Sequence, residues 1–454
     1  MPVWICYEKD EQMIQQCQKL IKNRVLCLGP YDNLKNIEFL QGVDIYRLKL
    51  ARCSNIIPKF KSDTLRELRI EDCNLKTIDD LPLAQLQVLE LITNISGSTE
   101  EPKLNLLNIT KCKLLKYLYL KNYRNIDLTP VENLTSLIKI KLESCSIKKL
   151  DVLAPLVNLE ELILSNNYGI NISALSTFQK LRTLIIYFCA IEDKQINIFD
   201  AINLNPIKTL KKLQFLSLVG NNIQYITTLQ SMTQLKELKL SYNPVIDISP
   251  LRHMVTLESL YLDNCNIKNL DVLQSLVELK ELHVNNNSNI NITAIQYLKK
   301  LTSLDISNCL IRDITVVSDC TILENLLMNS NPIVYYSPIY ELKLCKLYHS
   351  NNKDDPEFKQ YVQTIRQRNN SYFSVFEDSY QIYKSDIELA EILNNVNVPI
   401  TQLRQLRQKR SQHKSGMKIK RENVNQIIQG HISNQIAFTG RVVSLFGQLN
   451  SWTE

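Results

Sequence analysis

Apolar positions along this chain follow a fixed rhythm. The pattern L-x-x-L-x-L-x-x-N/C, with some aliphatic substitutions, starts at Leu213, Leu235, Leu257, Leu279, Leu301 and Leu323, each 22 residues after the last. The same register runs upstream through Leu115, Leu137, Leu159 and Leu181, and less regular starts fall at Ile45, Leu65 and Leu86, which makes thirteen turns. Inside each turn the x-L-x-L-x stretch alternates polar and apolar residues, the period of a β-strand with one buried face. The Asn or Cys that follows ends the strand. A buried Asn amide there can bond the backbone of its own and of a neighbouring turn, and a Cys thiol is a weaker group that fits the same place.

Three further apolar residues follow at a spacing of three, as in Ile226, Leu229 and Met232, or Leu270, Leu273 and Leu276. That spacing predicts a 3₁₀ or short helical return path, because residues i and i+3 eclipse in such a helix. One turn cannot bury its own apolar side, so turns must stack into a solenoid. Strands pack about 4.8 Å apart and helical segments wider, so the stack is expected to curve with its parallel sheet on the concave side.

The 454-residue chain divides accordingly. Residues 1–40 are expected to be an N-terminal helical cap, with an amphipathic helix near Lys9–Ile21. Residues 41–350 form the solenoid, and residues 351–454 a helical, partly basic C-terminal extension. Pro356 opens a predicted helix to about Gln367, and Val424–Leu449 has amphipathic spacing interrupted by Gly430, Gly440 and Gly447. Two spacings break the register, Leu86 to Leu115 and Leu181 to Leu213. The second contains an insertion at 191–212, expected as a loop or longer helix on the convex side or as a binding insertion, with folding over part of the strand face as a further reading.

The 22-residue pattern resembles the leucine-rich-repeat family, in the class typified by a regulatory subunit of protein phosphatase 1. The resemblance covers roughly Ile45 to Leu347. It implies an α/β solenoid: a right-handed superhelix with a concave parallel β-sheet and a short 3₁₀ or helical convex side. It also implies a protein-binding function, and more narrowly the holding of a serine/threonine phosphatase catalytic subunit on the concave surface.

Charge and chemistry change this picture little. The net charge is +7, and Thr401–Arg421 holds eight basic and no acidic residues, so everything else sums to about 7 − 8 = −1. The basic signal is local, which argues against a nucleic-acid-binding body, although the tail itself could target the nucleus or touch RNA or a membrane surface. Only 9 glycines occur, without a phosphate-binding G-x-G-x-x-G or G-x-x-x-x-G-K-S/T. His253, His283, His349, His413 and His431 are scattered, away from zinc-finger spacing, and are expected as exposed or cap residues. No catalytic residue, metal ligand or cofactor is assigned. Of the 12 cysteines, Cys53, Cys73, Cys145, Cys189, Cys265 and Cys309 share the ladder position, so reduced thiols in the cytoplasm, or the nucleus, are expected. The start of the chain lacks a secretory signal, and no apolar run reaches the roughly 18 residues of a membrane span.

The binding face follows from the alternation. In L1-x2-x3-L4-x5-L6-x7-x8-N9, positions 3, 5, 7 and 8 face the concave side or its rim. Position 5 reads Tyr119, Lys141, Ile163, Ile185, Ser217, Lys239, Tyr261, His283 and Asp305. Positions 3, 7 and 8 add Tyr117, Tyr187, Phe188 and Phe215. Aromatic and aliphatic residues at solvent-facing strand positions mark an interface. The expected partner-binding residues are therefore Tyr117, Tyr119, Lys141, Ile163, Ile185, Tyr187, Phe188, Phe215, Lys239 and Tyr261. The expected function is non-enzymatic scaffolding of a globular protein. The alternatives are phosphatase regulation and, through the basic tail, nucleic-acid association.

Overall fold

The computed structural model describes residues 4–5, 24–29, 37–53, 59–73, 75–93, 104–193, 198–245, 247–344 and 346–348, with short pieces at 358–360, 363 and 374–376. The expected helix at Lys9–Ile21, the segment Thr401–Arg421 and the span Val424–Leu449 lie outside them. Among the described residues, every strand but two belongs to one parallel sheet of 17 strands, laid down in chain order. The leucines at positions 4 and 6 point inward. Leu118 and Leu120, Leu162 and Leu164, and Leu260 and Leu262 are all fully buried.

The returns are 3₁₀ helices, such as Ser173–Thr177, Thr227–Ser231 and Asp271–Ser275. Their i→i+3 bonds follow the apolar spacing. Leu229 donates its N–H to the Ile226 carbonyl at 2.9 Å, and Met232 donates to Leu229 at 2.9 Å. All three side chains are buried.

The ladder position closes each turn. Asn243 accepts the backbone N–H groups of Asn221 (2.9 Å) and Ile223 (3.0 Å) and donates to the carbonyls of Leu218 (2.9 Å) and Leu240 (2.7 Å). Asn167, Asn287 and Asn331 repeat this arrangement. Where Cys stands instead, its thiol reaches the same kind of carbonyl, as Cys265 does to Leu240 at 3.3 Å. The six ladder cysteines are buried free thiols.

Position 8, just before the ladder residue, carries a second regularity. Asn122, Ser144, Asn166, Phe188, Gly220, Tyr242, Asn264, Asn286, Asn308 and Ser330 all have φ between +49° and +68°. The strand must turn sharply there, and Asn, Ser and Gly tolerate the left-handed region at lower cost than bulky residues. Phe188 and Tyr242 are the costly exceptions.

The structure corrects three boundaries. The sheet begins before residue 41: Val25–Leu28 is already a strand, paired in parallel with Arg47–Ala51. Downstream, Ser374–Phe376 adds a further strand beside Lys346–Tyr348, inside the span expected as a helical extension, although 358–360 are helical. The insertion is shorter than it looked. Ile191–Asp193 and Ile198–Asp200 form a two-stranded sheet of their own, and Asn205–Thr209 is an ordinary return, with Leu204, Ile207 and Leu210 buried at the usual spacing.

Candidate functional site

Register turns the repeat into rows. Parallel pairing aligns Tyr119, Lys141, Ile163, Ile185, Ser217, Lys239, Tyr261, His283 and Asp305 side by side across nine strands. The neighbouring position 3 row runs through Tyr117, Lys139, Glu161, Thr183, Phe215, Glu237, Ser259 and Glu281. Within these rows the expected residues fall into two aromatic–lysine groups joined by an aliphatic strip.

In the first group, Lys139 Nζ sits 5.0 Å above the Tyr117 ring and Lys141 Nζ 4.5 Å above the Tyr119 ring. The Tyr119 hydroxyl donates to Glu143 at 2.8 Å. Glu143 also pairs with Lys121, and with Lys141 at 3.2 Å. Burial pushes the Glu143 carboxyl up, but Lys121, Lys141 and the Tyr119 hydroxyl outweigh it and hold the group below the usual carboxylate range. Burial, with Glu143 beside it, pushes the Tyr119 phenol up.

The strip consists of Ile163 beside Ile185, with Tyr187 at position 7 of the same strand as Ile185. All three are half-buried. The second group places Lys239 Nζ between two rings, 5.6 Å from Phe215 and 4.4 Å from Tyr261, while pairing with Glu237 at 3.1 Å. Tyr261 stacks on His283, with ring centroids 4.6 Å apart and planes 21° apart.

Three expectations change. The aromatic cluster is not openly exposed: Tyr119 is buried and Tyr117, Phe215 and Tyr261 are half-buried, because lysine stems lie across their faces. Phe188 is half-buried like Tyr187, but it is not in the extended backbone that alternation assumes. It sits in the left-handed turn, edge-on to Tyr187 at 4.6 Å, with its ring against Gly220. His283 is neither exposed nor a cap residue. Its side chain is 15% accessible and lies among Tyr261, Glu281 and Asp305. A linear motif misses it, because its neighbours stand one repeat away.

Glu143, Lys121 and Lys139 were absent from the expected set. Reading positions 3 and 7 for opposite charges on adjacent turns would have found them, since residues one period apart are cross-strand neighbours.

The repeats are leucine-rich repeats: the family described as "Leucine Rich repeats (2 copies)" matches residues 211–253. An internalin, InlF, from Listeria monocytogenes str. 4b F2365 is 25% identical, over 66% of this chain and 85% of that one, with a TM-score of 0.50. TLR13, solved as its complex with ssRNA13, is 18% identical with a TM-score of 0.52; the match covers 81% of this chain and spans 59% of that protein. No curated protein matches the chain in sequence. The fold is that of leucine-rich-repeat proteins, a class of which protein-interaction scaffolding is the general role.

Proposed function

We propose that this chain is a non-enzymatic scaffold that binds a globular protein on the outer face of its sheet, between the strands Tyr117–Lys121 and Ser259–Tyr261. The observation that carries the reading is the pair of aromatic–lysine groups flanking the Ile163–Ile185 strip. Rings held rigid under lysine stems offer apolar area at low entropic cost, ringed by charges that set orientation. Ile163, Ile185, Tyr187, Phe215, Lys239 and Tyr261 supply direct contacts, while Tyr117, Tyr119 and Lys141 brace the surface from one end. A serine/threonine phosphatase catalytic subunit is the narrower candidate partner, resting on the 22-residue period alone. Nucleic-acid association rests only on Thr401–Arg421. Buried free thiols support a reducing compartment, cytoplasmic or nuclear.

The test is affinity capture with mass spectrometry, comparing wild type with the triple variant Ile163→Asp, Tyr187→Ala, Phe215→Ala. Tyr119 is left intact because it anchors Glu143. Wild type is expected to retain a specific protein that the variant loses. Identical profiles defeat the assignment of this face, and recovery of a partner other than a phosphatase defeats the narrower reading.

A further inference from the structure

Carboxylates on the outer face of the sheet are matched by lysine or arginine over most of its length. Glu67 pairs with Arg47, Glu71 with Lys49 at 2.9 Å, Glu90 with Arg69 at 2.8 Å, and Glu161 with Lys139 at 2.7 Å. Glu143 and Glu237 follow the same rule. The rule breaks at one place. Among the described residues no lysine or arginine pairs with Asp263 or Asp305, and the basic group that faces Asp305 is the imidazole of His283.

These residues come from positions 5 and 7 of three consecutive turns. A carboxylate oxygen of Asp263, one of Asp305 and a ring nitrogen of His283 all lie within 4.8 Å of one another. Asp305 is 2% exposed. The Asn285 amide nitrogen donates to both carboxylates, at 2.6 Å to Asp263 and 3.1 Å to Asp305. Ser241 donates its hydroxyl to Asp263 at 2.9 Å, and the Ser307 N–H donates to Asp305 at 3.0 Å. Burial, together with Asp305 close by, keeps the Asp263 carboxyl up at about 6 despite His283.

The orientation of His283 is the informative detail. Nε2 lies 3.0 Å from Glu281 Oε1, hydrogen-bonding distance. Nδ1 faces Asp305 Oδ2 at 3.8 Å, too far for a hydrogen bond. A histidine that donates one nitrogen to a carboxylate and offers the other to a shared pocket has the arrangement of a metal ligand with its outer-shell partner. Bonds of about 2.0–2.2 Å place ligand atoms roughly 3–4.4 Å apart, so the trio needs only a small convergence.

We propose that Asp263, His283 and Asp305 bind one divalent transition-metal ion of the zinc class, with Asn285 turning its amide to present oxygen as a further ligand. The mixed nitrogen and oxygen donors suit such an ion. Glu281 orients the imidazole, and Tyr261 holds it flat by stacking. The ion clamps three consecutive turns at the end of the second aromatic–lysine group. This assignment is independent of whether a protein docks on the face.

The experiment titrates Co²⁺ into the full chain after dialysis against EDTA, followed by visible d–d absorption, with Zn²⁺ added in competition. A saturable band that Zn²⁺ displaces is expected for wild type. His283→Gln and Asp305→Asn should each weaken Co²⁺ binding by about tenfold or more, with circular dichroism verifying their fold. Asn285→Asp adds a carboxylate and should tighten binding several-fold; a purely structural amide predicts no gain. Absence of a wild-type band overturns the proposal, as does equal binding in folded His283→Gln and Asp305→Asn. If those two variants fail to fold, unchanged or weaker binding by Asn285→Asp overturns it.

Discussion

The ring of Phe188 covers the α-carbon of Gly220. The two occupy position 8 of consecutive turns, both with positive φ, and a Cβ on Gly220 would meet Phe188 ring atoms at 2.5–2.7 Å. The aromatic residue in the one turn therefore requires the absence of a side chain in the next.

Gly220→Ala is expected to cost about 2–3 kcal/mol, from left-handed strain and overpacking together. Phe188→Ala beforehand should remove part of that penalty, since contacting residues couple. Urea midpoints of the two single variants and the double variant check this. Strict additivity would show that the ring and the glycine do not communicate.

Asn243→Ala strands two N–H groups and the Leu218 carbonyl inside the solenoid, and leaves the Leu240 carbonyl only the weaker Cys265 thiol. With each unsatisfied buried group costing about 1–3 kcal/mol, a loss of at least about 3 kcal/mol is expected. Asn243→Cys should lose less than half as much, because ladder thiols reach the same carbonyls and accept N–H groups, as Cys189 does from Asn167 at 3.4 Å. Thermal denaturation of both variants measures the ratio.

Glu143 links stability to pH. Its folded pKa lies below the ordinary 4.5, so its contribution is complete above that value and disappears as pH falls through the lowered one. Glu143→Gln should cost about 1–2 kcal/mol at neutral pH. The gap to wild type should close on acidification below about 4.5, read from urea midpoints across a pH series. A gap that stays constant in acid would mean that charge on Glu143 contributes nothing.

Burial pushes the Cys145, Cys189, Cys265 and Cys309 thiols up to about 12. The thiolate is the reactive form. Alkylation by iodoacetamide at mildly alkaline pH should therefore leave these four untouched in the native chain and modify them in urea. Peptide mapping distinguishes them from the other cysteines, and rapid native labelling of Cys265 would contradict its placement.

How much of this was legible in the letters depends on the range of the physics. The 22-residue period determined the strands, the returns and the order of the position 5 row, because each follows from local alternation and stacking. The strand at Val25–Leu28 went unassigned because Asn23 and Tyr31 stand where the pattern wants its first leucine and its ladder residue, although Ile37, Leu40 and Val43 keep the spacing of a return. The contacts between rows were harder. Tyr119 looked solvent-facing, yet its burial comes from Lys141 on the next strand and Glu143 two positions further along that strand. Asp263, His283 and Asp305 lie 20 and 22 residues apart, a spacing that looks like nothing until the repeat places them side by side. The left-handed backbone at Phe188 was not legible, because alternation gives the side of the sheet and says nothing of φ.

The ladder bonds between turns all point one way. Asn167 serves Cys145 and Ile147, Asn243 serves Asn221 and Ile223, and Asn331 serves Cys309 and Ile311: in each case the amide satisfies the turn before it. A turn is thus finished only by its successor. During synthesis the growing end always holds open donors until the next 22 residues arrive. Deletion from the amino end leaves the next ladder amide without the N–H groups it accepts, whereas deletion from the carboxyl end leaves N–H groups without their acceptor. The array has a direction: a cut at one end leaves spare acceptors, and a cut at the other leaves spare donors.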